Sequence, residues 1–227
     1  MDRHLYDIFA EKWQSDNRQV FFYSDPHFGD SECYTKRGQL ALNLLEHGNT
    51  ALIISEIAEL FQAYRDGVIS ADDYVKAFDE LQIKSINRRC GKASTFVCLG
   101  DVGDLECVKK LRPRYKVLIL GNHDAGATSY KQAFNEVYDG ELLISSKLLL
   151  SHVPVFSTNK INLHGHDHCS VDQFNMAAES ICYVPKSLNE IVATGKLKTV
   201  RSSNRKAIDR AIARKKNKKI MLNYLDN

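Results

Sequence analysis

Asp25 and His27, Asp101, Asn122, His152, and His166 with His168 are carboxylate, amide and imidazole donors, and each follows an apolar run. The runs are VFFYS from Val20, TFVCLG from Thr95, YKVLIL from Tyr115, LLLS from Leu148 and INLHG from Ile161. In extended chain, side chains two residues apart point the same way. Asp25 with His27, and His166 with His168, can therefore reach one centre. Carboxylates and imidazoles with one amide oxygen suit borderline divalent ions such as Mn, Fe or Zn better than calcium. Seven such donors exceed the needs of one zinc and fit two ions sharing a carboxylate. A lone Asp-x-His is more often a turn than a metal site, and a lone HGHDH can be a fortuitous cluster. Donors at the tips of five apolar runs ask for a common centre.

The elements that must carry these donors follow from the same runs. Tyr115 to Leu120 reads as a strand covered on both faces, ended by Gly121. Asn122, His123 and Asp124 then fall at its carboxyl end, where open α/β sheets place their ligands. Between Asp30 and Lys92, helical spacing over Leu40 to Tyr64 and over Asp72 to Ile86 predicts two helices, with a turn at Gly67. Ser70 with Asp73 resembles a capping box. A short helix over Leu105 to Leu111, stopped by Pro113, completes a βαβ unit. Further on, Ser129 to Val137 reads as helix, Glu141 to Ile144 as extended chain and Asp172 to Val184 as edge strands. Ser187 caps a helix to Val192. Helices are also expected over Asp2 to Asp16 and, with a basic face, over Arg205 to Lys219.

With 227 residues, 44% of them hydrophobic, the chain suits one α/β domain with an appendage. We place the domain at residues 1–195, with a helical insertion over about 30–92, and a tail at 196–227. The charged beginning, MDRHLYDIFAEKWQSDNRQ, is unlike a signal peptide, and no apolar run is long enough to cross a bilayer. The six cysteines form no CxxC pair. Reduced thiols, a cytoplasmic location and no membrane partner are the expectation. From Lys196 onward, eleven Lys or Arg stand against Asp209 and Asp226. Those cations can bind a nucleic-acid backbone. A solvated face, or docking on the acidic body, is the favoured account, since no interleaved aromatics support base stacking.

In order and context, SDPHFGD, LGDVGD, LGNHD, SHVP and HGHDH resemble the motifs of the calcineurin-like metallophosphoesterase family, in its small bacterial and phage branch. The resemblance spans roughly residues 19 to 192. It implies a four-layer α/β/β/α sandwich with two divalent ions, Mn2+ foremost and Fe or Zn as alternatives. It further implies that Asp25, His27 and His168 hold the first ion, that Asn122, His152 and His166 hold the second, and that Asp101 bridges them. Hydroxide held by such a pair would attack a phosphoester, with a phosphodiester (nucleotide or nucleic acid) favoured over a monoester. A non-catalytic metal-binding scaffold is the alternative from another class. His123 would serve the leaving oxygen, and Asp104 would fix the His123 tautomer. Asp124 would organise the loop, and His164 would pack in its strand. Members of that branch commonly carry His where Asp30 stands, so specificity would differ if that position meets substrate. The insertion is long enough to form a lid or an oligomer contact.

Overall fold

The computed structural model describes residues 20–144, 148–156, 160–168 and 172–193. The expected first helix and the whole basic tail lie outside these residues. A five-stranded sheet has the order β4-β3-β2-β1-β8, built from β1 (Val20–Tyr23), β2 (Thr95–Cys98), β3 (Tyr115–Ile119), β4 (Glu136–Tyr138) and β8 (Lys186–Ser187). β1 to β4 run parallel, and β8 is antiparallel to β1. A three-stranded sheet joins β5 (Leu142–Leu143), β6 (Leu148–Leu150) and β7 (Ile161–Leu163), with β6 and β7 parallel.

Every residue of β1 and β2 is buried, as a sheet covered on both faces requires. Phe22 pairs with Val97, and Val97 with Val117, so three strand ends stand level. This register delivers Asp25, Asp101 and Asn122 to one edge. Between β2 and β3, α4 (Leu105–Lys109) makes the expected crossover. At the end of the described chain, α5 (Leu188–Ala193) begins with a reciprocal cap: Glu190 N–H donates to Ser187 Oγ at 3.2 Å, and Ser187 N–H donates to Glu190 Oε2 at 2.7 Å.

The connection between β1 and β2 holds three helices where two were expected: α1 (Ser31–Glu46), α2 (Leu52–Arg65) and α3 (Ala71–Arg89). Asp30 starts α1 early by accepting from Cys33 N–H at 2.9 Å. Gly48, at φ +84°, ends it in a left-handed turn that only glycine adopts without cost. The apolar spacing from Leu40 to Tyr64 therefore belongs to two helices. They pack closely, because a Cβ on Gly38 would overlap the Phe61 ring. Ser70 caps α3 through Asp73 N–H at 3.1 Å, as its sequence suggests. The α3 face buries Tyr74, Phe78, Gln82 and Ile86, and Phe78 stacks on Tyr34 of α1 with centroids 4.0 Å apart. Burial of a side chain like Phe78 contributes about 2 kcal/mol.

Ser129 to Val137 is not an α-helix. Ala127–Tyr130 forms a single 3-10 turn, and Glu136–Tyr138 becomes β4. Pairing of Val137 with Leu118 on the exposed flank of β3 outweighs a short helical pattern. Asp172 to Val184 contributes single bridges, Asn175 with His164 and Ala177 with Ser24, in place of full strands. No described helix is long and apolar enough to cross a membrane.

Candidate metal centre

All seven candidate donors sit in the loops that leave β1, β2, β3, β6 and β7. Four of them, Asp25, His27, Asp101 and His166, have positive φ between +49° and +64°. Non-glycine residues held there store local strain that the surrounding contacts must overcome, and such strain concentrates at functional sites. Two glycines let the loops approach. A Cβ on Gly121 would overlap the Asp101 carboxylate, and one on Gly165 would overlap Ser24 and Asp25.

The donors form two groups, each with ligand atoms within 4.8 Å of one another: Asp25, His27 and His168 in one, Asp101, His152 and His166 in the other. Asn122 belongs with the second, its Oδ1 lying 2.9 Å from both His152 Nε2 and His166 Nδ1. Asp101 stands between the groups, with Oδ2 3.6 Å from His27 Nε2 and 3.3 Å from His152 Nε2. Its Oδ1 accepts from His123 N–H at 2.9 Å. Asp25 ties the groups from below, since His166 N–H donates to Asp25 Oδ2 at 3.0 Å.

The outer nitrogens of three rings face acceptors. His152 Nδ1 is 2.8 Å from the Leu99 carbonyl oxygen, His168 Nδ1 bonds the Glu179 carboxylate, and His27 Nδ1 lies 3.6 Å from Asp30 Oδ2. A carbonyl or carboxylate can only accept, so the ring proton belongs on Nδ1 and the Nε2 lone pair points inward. Inward-facing nitrogen lone pairs then meet the oxygens of Asp25, Asp101 and Asn122 with few protons to share. A cluster of acceptors aimed at acceptors is a cavity for cations, and the donors present fit that requirement.

The ionisation of the groups follows from burial and pairing. Burial pushes the Asp25 carboxyl up, against the opposing pull of His152 and His168. Burial also lowers His27, favouring the neutral ring that can act as a ligand. Asp101 is likewise desolvated, yet the nearby His152 ring and the hydrogen bond from His123 N–H bring it below the ordinary carboxylate value. His168 is raised, chiefly by its hydrogen bond to Glu179. For Glu179 burial opposes the charge, but Arg37 and His168 carry its pKa down to about 2.

Among the neighbouring positions, Asp104 departs from expectation. Asp104 does not meet His123; its Oδ1 accepts from Glu106 N–H at 2.9 Å and caps α4. A DVGD loop running straight into a helix makes that carboxylate the nearest acceptor for the unpaired amides of the first turn. His123 is exposed, with its ring centroid 5.6 Å from that of His27. Asp124 does organise the loops, accepting from Asp101 N–H and Gly121 N–H at 2.9 and 2.8 Å through Oδ2, and from Val102 N–H and Tyr130 Oη–H through Oδ1. His164 is buried at 3% exposure and stands outside both groups. Asp30 is the N-cap of α1 and also faces His27.

Three supporting residues carry no sequence motif. Arg37 of α1 is buried and donates to the carbonyls of Pro26 and Asp25 at 2.9 and 2.5 Å. Gln82 of α3 donates to the same Pro26 carbonyl at 3.0 Å. The helical insertion thus buttresses the Asp25 loop from behind. Glu179 holds both Arg37, at 3.0 Å, and His168. Only a polar residue at a buried position of the α1 pattern hinted at Arg37, and nothing local hinted at Glu179.

A sequence model described as calcineurin-like phosphoesterase matches residues 18–218. Among solved structures, the protein of unknown function AQ665 from Aquifex aeolicus is similar, with a TM-score of 0.50 and 20% identity, covering 77% of this chain and 98% of its own. That likeness concerns the fold. No curated protein matches the chain.

Proposed function

The chain belongs to the calcineurin-like phosphoesterase family, whose members are metal-dependent phosphoester hydrolases, and we propose that it is a phosphodiesterase working with two divalent ions, manganese foremost. The observation that carries this reading is the place of Asp101 Oδ2 between His27 and His152, at 3.6 and 3.3 Å. A carboxylate so placed is available to both donor groups. Asp25, His27 and His168 would hold one ion, and Asn122, His152 and His166 the other. When bound, such ions supply Lewis-acid charge to phosphoryl oxygens and lower the pKa of water towards about 7.

The chain's own residues supply orientation and proton control. Asp124 fixes the loops of Asp101 and Gly121 through four donors, so the bridging carboxylate is held before substrate arrives. The His123 backbone is pinned to Asp101, and its exposed ring stands beside His27. From there it can stabilise or protonate the leaving oxygen of a phosphoester. Glu179 and Leu99 orient the rings of His168 and His152 without touching the reacting atoms. A cleft beside His123 leaves room for an organic arm of the ester.

The test is hydrolysis of bis-p-nitrophenyl phosphate beside p-nitrophenyl phosphate by manganese-loaded protein, with His123→Ala as control. We expect faster diester turnover that falls by roughly 10²-fold or more in the variant. Turnover of the monoester alone would reject the diester preference. Failure on both substrates with metal bound would favour a scaffold.

A further inference from the structure

The cleft beside the Asp25, His27 and His168 group has a volume of about 500 Å3. Its lining includes His27, His123 and His168 beside the centre, and Cys33, Lys36 and Leu40 of α1 form one wall. These wall residues are spaced three and four apart and share one helix face. Asn122, His152 and His166 are not among its described lining residues, so it opens on the His123 side of the centre. Its size is that of a small-molecule site, within the usual range of roughly 300–1,000 Å3, and exceeds what a phosphate alone would fill.

The wall chemistry selects what can enter. Leu40 is 38% exposed at the cleft, an apolar side chain left open to water. Both cations of the lining already have partners: Lys36 with Glu32 at 2.7 Å, and Arg37 with Glu179 at 3.0 Å. Asp30 adds a further carboxylate. A second phosphate brought here would meet carboxylates and paired cations. An uncharged ring would instead cover Leu40 and the Cys33 side chain at no electrostatic cost.

We infer that this cleft receives the substrate's ester arm beside His123, and that the arm is an uncharged, ring-bearing organic group, not the next phosphate of a polyanionic chain. The inference rests on the phosphoesterase reading above. It makes α1, and Leu40 in particular, a determinant of specificity for small organic phosphodiesters.

Calorimetric titration of manganese-loaded protein with diphenyl phosphate and with dimethyl phosphate tests it. The wild type is expected to bind the diphenyl ester roughly tenfold or more tightly, from the apolar area covered. In Leu40→Asp that ratio should fall to about threefold or less, and Leu40→Ala should fall between, with thermal melting confirming that both variants fold. Equal affinities for the two esters, binding of neither, or a ratio unmoved by both substitutions would overturn the inference. Turnover of bis-p-nitrophenyl phosphate by the same preparations separates the two readings. Ring preference without turnover rejects the enzyme and leaves the cleft; turnover without ring preference rejects the cleft and leaves the enzyme.

Discussion

Arg37 and Glu179, 142 residues apart in sequence, meet in the interior with Nη2 3.0 Å from Oε2, and the other Glu179 oxygen holds His168. One buried ion pair thus joins α1 to the loop after β7 and orients an imidazole of the candidate centre. Removing one partner leaves an uncompensated charge, which costs about 3–5 kcal/mol. Glu179→Ala and Arg37→Leu should each lose that much in urea unfolding. Glu179→Gln keeps the shape and a hydrogen-bond acceptor, and should weaken manganese binding by about 10- to 100-fold, as measured by calorimetry. Full metal affinity in Glu179→Gln would show that the carboxylate merely balances Arg37.

The same pair sets a response to acid. The folded pKa of Glu179 is about 2, below the ordinary value of about 4.3. A depressed carboxylate pKa contributes stability that is complete above the unfolded value and is lost as pH falls through the folded one. The window is therefore pH ~4.3 down to ~2, and the contribution at neutral pH is up to about 3 kcal/mol. Unfolding free energies of the metal-free protein should fall through that window more steeply than those of Glu179→Gln. Parallel pH profiles would contradict the pairing.

The centre was legible in the sequence because its information is local. Each donor sits within a few residues of a strand end, so the apolar runs locate the loops that carry them, although left-handed turns at Asp25, His27 and His166, not strand alternation, aim the side chains. Supporting residues were less legible because their partners are distant. Glu179 gains its role from Arg37 and His168, and no spacing rule connects helix α1 with the segment after β7. Competition among local signals explains the rest. Asp104 was read towards His123, but the amides of α4 lie nearer. Val137 fits a helical pattern, but the open flank of β3 offers a ladder of hydrogen bonds. The capping role of Asp30 was missed because the start of α1 at Ser31 was not recognised.

Asp124 collects four donors from Asp101, Val102, Gly121 and Tyr130. Asp124→Ala would leave three backbone amides at the loop crossing without their acceptor, and a buried unpaired donor costs about 1–3 kcal/mol. We expect a loss of about 2–4 kcal/mol in denaturant unfolding, with water relieving part of the total. Asp124→Asn can still accept but loses the charge, and should fall between. A change under 0.5 kcal/mol in both variants would show that the loops hold their left-handed turns unaided.

The cluster of inward lone pairs also predicts how metal acts on stability. Donor atoms of Asp25, His27 and His168, and of Asp101, His152 and His166, converge within 4.8 Å in each group. Such a cluster exists only in the folded chain, so ions that fill it must stabilise folding. At a free manganese concentration a hundredfold above Kd the gain is about 2.7 kcal/mol per site. Thermal melting should shift upward on loading, and a chelator should reverse the shift. Asp101→Asn weakens both groups at once, so its melting temperature should respond to manganese less than half as strongly, with bound metal falling below two ions per chain. An undiminished shift and two retained ions would remove Asp101 from the bridging position and leave each donor group to bind its ion independently.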